Sequence, residues 1–278
     1  MAIITLTTDF GEKDHFAGAT KGAIYNELPD VRIVDISHSV SPFSIPEAAY
    51  IILNAYSSFA KGTIHIIGID SEINPENKHI AIKLDGHYFI CANNGIMSMI
   101  CAEIAPERIV EINIHDKIHT SFPVLDVFVK VACHIARGGT LDVIGKPITE
   151  IKPIKNIAPY VNDDQTQIIG SIIYIDNYGN VITNIKHHFF ETIQKGRAFE
   201  ISVRNYKFKK IHAKYSDIVN FDIPEERRHD EGRGLVVFNS SKYLEIAVYK
   251  SNSATVGSAS TLMGLNLMDT VTINFSKT

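Results

Sequence analysis

Asp9 and Asp70 each follow an apolar, β-branched run, residues 3–6 and 64–69 respectively. Such runs read as buried strands, so each carboxylate projects from the carboxyl end of a strand. Ligands of open α/β sheets bind at that edge, and two carboxylates there argue for an acidic cleft better than either alone. Gly11 lets the turn after Asp9 take a positive φ and lets a ligand approach the backbone. Asp14 stands near the start of a helix expected over residues 16–26. The same aspartates would also suit a capped turn and a capped helix, and residues 3–14 alone do not separate the two roles.

Other polar groups collect at turns. His38, in Asp35-Ile-Ser-His38, follows the second strand and suits either a ligand contact or a satisfied polar contact. Asn93-Asn94-Gly95 is a tight turn of residues that tolerate left-handed backbone. In the second half, residues 176–180 (Asp-Asn-Tyr-Gly-Asn) and 239–248 (Asn-Ser-Ser-Lys-Tyr-Leu-Glu-Ile-Ala-Val) read as strand-joining loops. Their amides and hydroxyls could meet a purine, or simply close hairpins. No P-loop, dinucleotide fingerprint, zincin helix, nucleophile elbow or zinc spacing is present. His187-His188 is too isolated for a metal site, and no metal is expected.

The elements that hold these residues alternate in type through the first half. Strand-like runs at 3–6, 32–36, 63–69, 80–84, 88–92 and 109–112 interleave with helical patterns at 16–26, 45–56, 95–103 and 124–137. That order predicts an α/β domain over residues 1–150, a mixed or parallel central sheet covered by helices. From 146 to 167 the periodicity stops amid Pro147, Pro153, Pro159 and Asn162-Asp163-Asp164, which reads as a linker or a wrapping segment between domains, bounded at 151–167. Short strands at 168–175, 180–184, 198–203, 206–210, 234–238, 243–248 and 270–275 then predict a smaller all-β, barrel-like domain over 168–278. Residues 225–233 read as a charge-mixed surface loop.

The chain has 278 residues, 45% of them hydrophobic, enough to bury one large core or two smaller ones. A net charge of −4 without a basic run argues against a nucleic-acid partner and suits a cationic or zwitterionic ligand. Cys91, Cys101 and Cys133 are scattered and lack metal spacing, as in a reduced, cytoplasmic protein. No apolar stretch approaches the about 18 residues of a membrane span, and the first residues lack the basic-then-apolar pattern of an export signal. A soluble protein with no membrane partner is expected.

The order of the pieces resembles that of a known family. Leu6-Thr-Thr-Asp9-Phe-Gly-x-x-Asp14 and Ile33-Val-Asp35-Ile-Ser-His38-x-Val-x-Pro-Phe43 come first, followed by Asp70 after its strand and Ala92-Asn93-Asn94-Gly95. Then come Ile175-Asp176-x-Tyr178-Gly-Asn180-x-Ile-Thr-Asn184 and Asn239-Ser240-x-x-Tyr-Leu-Glu245-Ile-Ala. Together they resemble the S-adenosyl-L-methionine (SAM) hydroxide adenosyltransferase family, whose relatives include the fluorinase and the chlorinase. The resemblance implies a larger N-terminal α/β domain joined to a smaller C-terminal β-barrel domain. It also implies a homotrimer, with each site between one subunit's N-terminal domain and its neighbour's C-terminal domain. Asp9 would hold the ribose hydroxyls and Phe43 would pack on the sugar. Asp14, Asp176 and Ser240 would meet the ammonium and carboxylate of the methionine end. Tyr178 and Asn180 would contact the adenine, with Glu245 and Val248 lining the same pocket. The match weakens after Val248, and no contact is carried over to residues 249–259. SAM would be the substrate, with no separate cofactor.

Two departures bear on the chemistry. The hydrolases of the family show an Asp-Pro-Gly-Val-Gly-Thr-x-Arg segment, which here reads Asp70-Ser-Glu-Ile-Asn-Pro-Glu-Asn77. Their Thr-Phe-His-Gly-Arg-Asp segment reads Ser121-Phe-Pro123-Val124-Leu-Asp126. Of the family's Asp-Arg-His triad Asp70 alone stays in place, unless Lys78 or His119 reaches in from a shifted loop. The halogenases lack this Asp and place a small hydroxyl or glycine where Val124 sits, so Asp70 speaks against a halide pocket. Three functions follow from the resemblance: weak hydrolysis of SAM to adenosine and L-methionine with Asp70 orienting the water, adenosyl-ligand binding without appreciable turnover, or attack at C5′ by another nucleophile.

Overall fold

The first strand, β1 (Ile3–Thr8), is buried from Ile4 to Thr8. It lies inside a sheet covered on both faces, which is why its sequence reads as a continuous apolar run. The computed structural model describes residues 2–114, 120–154, 158–228 and 232–276. It divides into two units, Met1–Lys155 and Asn156–Thr278.

In the first unit, β1 is joined by β2 (Arg32–Ser37), β3 (Ile64–Gly68), β4 (His79–Leu84), β5 (His87–Ala92), β6 (Arg108–Ile112) and β7 (Gly145–Pro147). The seven-stranded sheet runs β2-β1-β3-β5-β4-β6-β7. Strands β2, β1, β3 and β5 are parallel, and the remaining pairings are antiparallel. The helices are α1 (Phe16–Glu27), α2 (Ile45–Ala55), α3 (Ile96–Ile100), α4 (Val129–Ala136) and the single turn α5 (Leu141–Ile144). Side chains alternate across the sheet with period 2. Ile64, Ile66 and Ile90 pack on one face with Ile24 of α1 and Val131 of α4. Ile67, Ile80, Ile82 and Phe89 pack on the other with Ala48 and Ile52 of α2.

The helix expected over 124–137 opens differently from its periodicity. Residues Val124–Phe128 form a π-helical turn in which the Val129 N–H donates to the Val124 carbonyl, and only then does α4 begin. Pro123 is buried immediately before it.

The second unit contains β8 (Tyr160–Val161), β9 (Gln167–Ile175), β10 (Val181–Lys186), β11 (Phe199–Val203), β12 (Tyr206–Phe208), β13 (Gly234–Phe238), β14 (Tyr243–Val248) and β15 (Thr270–Phe275). The eight-stranded antiparallel sheet runs β12-β11-β15-β9-β10-β14-β13, with β8 on β9. It nearly closes on itself. His212, just past β12, bridges to Val237 of β13, and its N–H donates to the Val236 carbonyl at 2.8 Å. Ile168, Ile201, Val236, Leu244, Ile246 and Ile273 fill the interior.

Several segments carry structure beyond the sequence expectation. Within 151–167, Ile151 packs into the first unit's core, and Tyr160–Val161 pairs with β9. His187-His188 opens a helix, α6 (His187–Gln194), in a region expected to hold only strands, and α7 (Ala259–Leu262) follows β14. Glu225–Arg227 is a short 3-10 turn, and residues 229–231 of that loop lie outside the described residues.

Candidate active site

Because β2, β1, β3 and β5 are parallel neighbours, their carboxyl ends open onto one edge of the sheet. Thr8 stands beside Gly68 in the β1–β3 pairing, so Asp9 and Asp70 leave adjacent strands at that edge. The strand-end reading of these carboxylates therefore describes what the fold does with them. The packing is tight at this point: a Cβ on Gly68 would lie 3.0 Å from Val124 Cγ2, 3.1 Å from Thr8 Cγ2 and 3.2 Å from Phe10 Cζ. The π turn is thus seated directly on the end of β3.

Asp9 holds the loop after β2. Its Oδ2 accepts the Phe43 N–H at 2.8 Å. Phe43 has φ +62°, a conformation that a bulky side chain adopts only where its surroundings fix the backbone, and its ring is 72% exposed. The Gly11 N–H donates to the His38 carbonyl at 2.7 Å, with Gly11 at φ +68°. His38 is buried, 2.7 Å from Thr8 Oγ1 through Nδ1 and 3.1 Å from Asp35 Oδ1 through Nε2. Burial raises Asp35, but hydrogen bonds from Lys21 and His38 outweigh it and hold its carboxyl below the usual range. His38 meets Thr8 through Nδ1, while its buried Nε2 faces the Asp35 carboxylate without forming a well-aligned hydrogen bond. Asp14 is exposed, just ahead of α1. Phe10, Phe16 and Phe122 form an aromatic cluster with centroids 5.2 to 5.6 Å apart; each lies in or beside a different motif, and no single motif signals their meeting.

Asp70 has φ +42° and is half-buried. Asn77, 8% exposed, donates from Nδ2 to Asp70 Oδ2 at 3.3 Å. Asn94 donates to the Ile69 carbonyl at 3.0 Å, which makes the Asn93-Asn94-Gly95 turn a clamp on the end of β3. Lys152 Nζ lies 3.2 Å from Asn77 Oδ1, a contact no local pattern signalled. Lys78 is exposed, Pro123 offers no polar side chain, and His119 lies outside the described residues.

In the second unit Asp176 organises the β9–β10 loop. Its Oδ1 accepts the N–H groups of Tyr178 at 2.9 Å and Asn180 at 2.8 Å, and its Oδ2 accepts Asn180 Nδ2 at 3.2 Å. Burial pushes the Asp176 carboxyl up, and these hydrogen bonds offset part of that rise. Asn180 is buried and Tyr178 is 62% exposed. Ser251 donates to Asn180 Oδ1 at 3.3 Å, and a Cβ on Gly179 (φ +74°) would fall 2.2 Å from Ser258 Oγ. Residues 249–259, onto which the resemblance carries no ligand contact, back this loop through Ser251, Ser253 and Ser258.

Glu245 is 3% exposed and accepts the Tyr215 hydroxyl at 2.9 Å. Burial pushes its carboxyl up, Tyr215 and Asn239 counter that, and the Asp176 charge raises it further. Ser240 is exposed in the β13–β14 turn. Glu245 and Val248 lie on opposite faces of β14. Val248 is 2% exposed and packs into the barrel interior with Leu244 and Ile246, while Ala247 packs on the opposite face with Leu235 and Val237. An odd separation along a strand puts Glu245 on that opposite face, so Val248 can meet a ligand beside Glu245 only through its backbone.

Residues 4–145 match the family model for the SAM hydroxide adenosyltransferase N-terminal domain, and residues 170–272 match the model for the C-terminal domain. The chain belongs to this family. Among SAM hydroxide adenosyltransferase relatives, it is similar to the (R)-S-adenosyl-L-methionine hydrolase of Methanocaldococcus jannaschii. The two are 29% identical over 281 residues, which cover 98% of this chain and 95% of that protein. It is also similar to the fluorinase of Actinopolyspora mzabensis, at 20% identity over 88% of this chain and 90% of that protein. The crystal structure of an uncharacterized conserved protein from Thermotoga maritima superposes with a TM-score of 0.80 and 26% identity, covering 99% of this chain and 100% of that one. The SAM hydroxide adenosyltransferase match thus spans both units. Among the described residues no cluster of His, Cys, Asp or Glu could hold a metal ion, and no helix is long and apolar enough to cross a membrane.

Proposed function

We propose that this protein hydrolyses SAM to adenosine and L-methionine without a cofactor. Water attacks C5′ in line with the sulfonium. The new C–O bond forms as the C5′–S bond breaks, its electron pair stays on sulfur, and Asp70 orients the water and takes its proton. The leaving thioether is neutral and needs no acid, so positioning and water exclusion supply most of the rate. The observation that carries this reading is Asp70 at the carboxyl end of β3, its carboxylate held by Asn77 beside the strand that bears Asp9. The named hydrolase of M. jannaschii, matched over nearly its whole length, supports it.

In this reading Asp9 accepts from the ribose hydroxyls, Phe43 covers the sugar, and Asp14, Asp176 and Ser240 receive the amino-acid end. Tyr178, Asn180, Glu245 and the Val248 backbone form the adenine side. The protein acts as a homotrimer whose neighbouring subunits complete each site. It works in the cytoplasm, where Cys91, Cys101 and Cys133, all free, stay reduced.

A second reading, an adenosyl-binding protein with negligible turnover, draws on Asn77 and Pro123, which replace the cation and the imidazole of the family triad. Chromatographic measurement of adenosine and methionine release separates the two. Release by wild type that Asp70→Asn abolishes supports hydrolysis, and equal rates in both remove Asp70 from the mechanism. No release above the uncatalysed background, with adenosine still bound, favours the binding protein.

A further inference from the structure

We infer that Lys152 is a positioning residue for Asp70, acting through the side-chain amide of Asn77; this rests on the hydrolytic reading of the site. The backbone around Lys152 is pinned. Ile151 packs into the core with α2 and α3, the Lys152 N–H donates to Asn93 Oδ1 at 2.8 Å, and the Ile154 N–H donates to Ser98 Oγ at 3.0 Å. The ammonium is thereby delivered to Asn77 Oδ1, 3.2 Å away. Asn77 is itself buried, and its N–H is held by Asn74 Oδ1 at 2.9 Å.

The chemistry of the three groups fixes their order. An ammonium only donates and an ionised carboxylate only accepts, whereas a primary amide does both and can be turned either way round. With Lys152 on one side, the amide oxygen must face the lysine, and the NH2 must face Asp70. Without Lys152 the amide oxygen loses its partner, and the contact to Asp70 alone is left to hold the amide in place. The ammonium also polarises the amide, which strengthens the N–H bond to Asp70 Oδ2. A distant cation and a neutral relay thus act where the family's hydrolases place a single arginine. A lysine that served only to hold the backbone strap would need neither its ammonium nor its reach to Asn77.

The test uses the whole protein with SAM as substrate and compares wild type, Lys152→Met and Lys152→Arg. Lys152→Met should lower kcat about tenfold or more, as misplacement of an acting group does, while KM stays within about twofold. Lys152→Arg should recover most of kcat. Asn77→Leu placed on Lys152→Met should add little further loss, because both act along one path. A readout independent of turnover is the NMR signal of the Asn77 side-chain NH2, assigned by its absence in Asn77→Leu. It should shift in Lys152→Met and return toward wild type in Lys152→Arg. Unchanged kcat and an unmoved NH2 signal in Lys152→Met would overturn the inference. If wild type releases no adenosine, the hydrolytic reading falls, while the NH2 signal still decides whether Lys152 orders the amide.

Discussion

The Phe43 N–H donates to Asp9 Oδ2 across 2.8 Å and so ties the loop after β2 to the end of β1. The bond occupies one carboxylate oxygen and, among the described residues, leaves Oδ1 for a ligand. A carboxylate can fasten its own loop and still accept from a sugar hydroxyl, since its two oxygens offer about four acceptor sites.

Two substitutions at Asp9 should separate these roles. Asp9→Ala removes both acceptors, and losing a charge-assisted hydrogen bond costs about 1.5–3 kcal/mol, roughly a ten- to hundredfold weaker adenosine complex. Asp9→Asn keeps an oxygen for the Phe43 N–H, so thermal stability should stay near wild type while affinity still falls. Calorimetric titration with adenosine checks both variants. Undiminished affinity in Asp9→Ala would remove Asp9 from the ligand site.

A side chain at Gly68 should be destabilising. Alanine would place its Cβ 3.0 Å from Val124 Cγ2 and 3.1 Å from Thr8 Cγ2, both branched and buried. Such overpacking costs about 1–3 kcal/mol, which lowers Tm by several degrees in a protein of this size. Gly22 in α1 has nothing within 4 Å of the same position, and Gly22→Ala should be neutral or slightly stabilising. Equal melting temperatures for the two variants would contradict the packing described at the end of β3.

Acid should destabilise the first unit through a buried histidine pair. His65 is 1% exposed, 2.7 Å from Thr5 Oγ1 and 3.2 Å from His87 Nδ1. Burial, aided by the His87 charge, pushes His65 down to about 3. The unfolded chain, near 6.5, then binds a proton that the folded chain refuses. The contribution is complete above about pH 6.5 and falls by up to about 1.4 kcal/mol per pH unit on acidification toward pH 3. Urea unfolding at pH 7, 6, 5 and 4 should show a steeper decline in wild type than in His65→Phe. Parallel pH profiles would mean that His65 carries none of it.

The assembly makes a separate prediction. Light scattering should give a mass near three chains, and mixing Asp70→Asn with an adenine-side variant, Asn180→Ala, should restore part of the activity through mixed trimers. A folded monomer that binds adenosine with full affinity would rule out sites shared between subunits.

Much of this site could be read locally. The run 3–6 is apolar and β-branched because β1 is covered on both faces, and Asp9 comes soon after it because a buried strand has to end in polar turn residues. Asp70 is legible for the same reason, and the segment 176–180 announces its turn through Asp, Gly and Asn. The face assignment of Glu245 and Val248 was also within reach, since residues an odd number apart on a strand point opposite ways.

What required the tertiary structure lies far apart along the chain. Gly68 meets Val124, His212 closes the barrel on Val237, and Lys152 reaches Asn77 across 75 positions. The amino-acid pattern determined which segments become strands and where their polar ends fall, because periodicity and turn chemistry act over a few residues. Which of those ends share an edge, and which distant cation reaches the amide beside the carboxylate there, depended on strand order and core packing, which bring together groups that no local pattern connects.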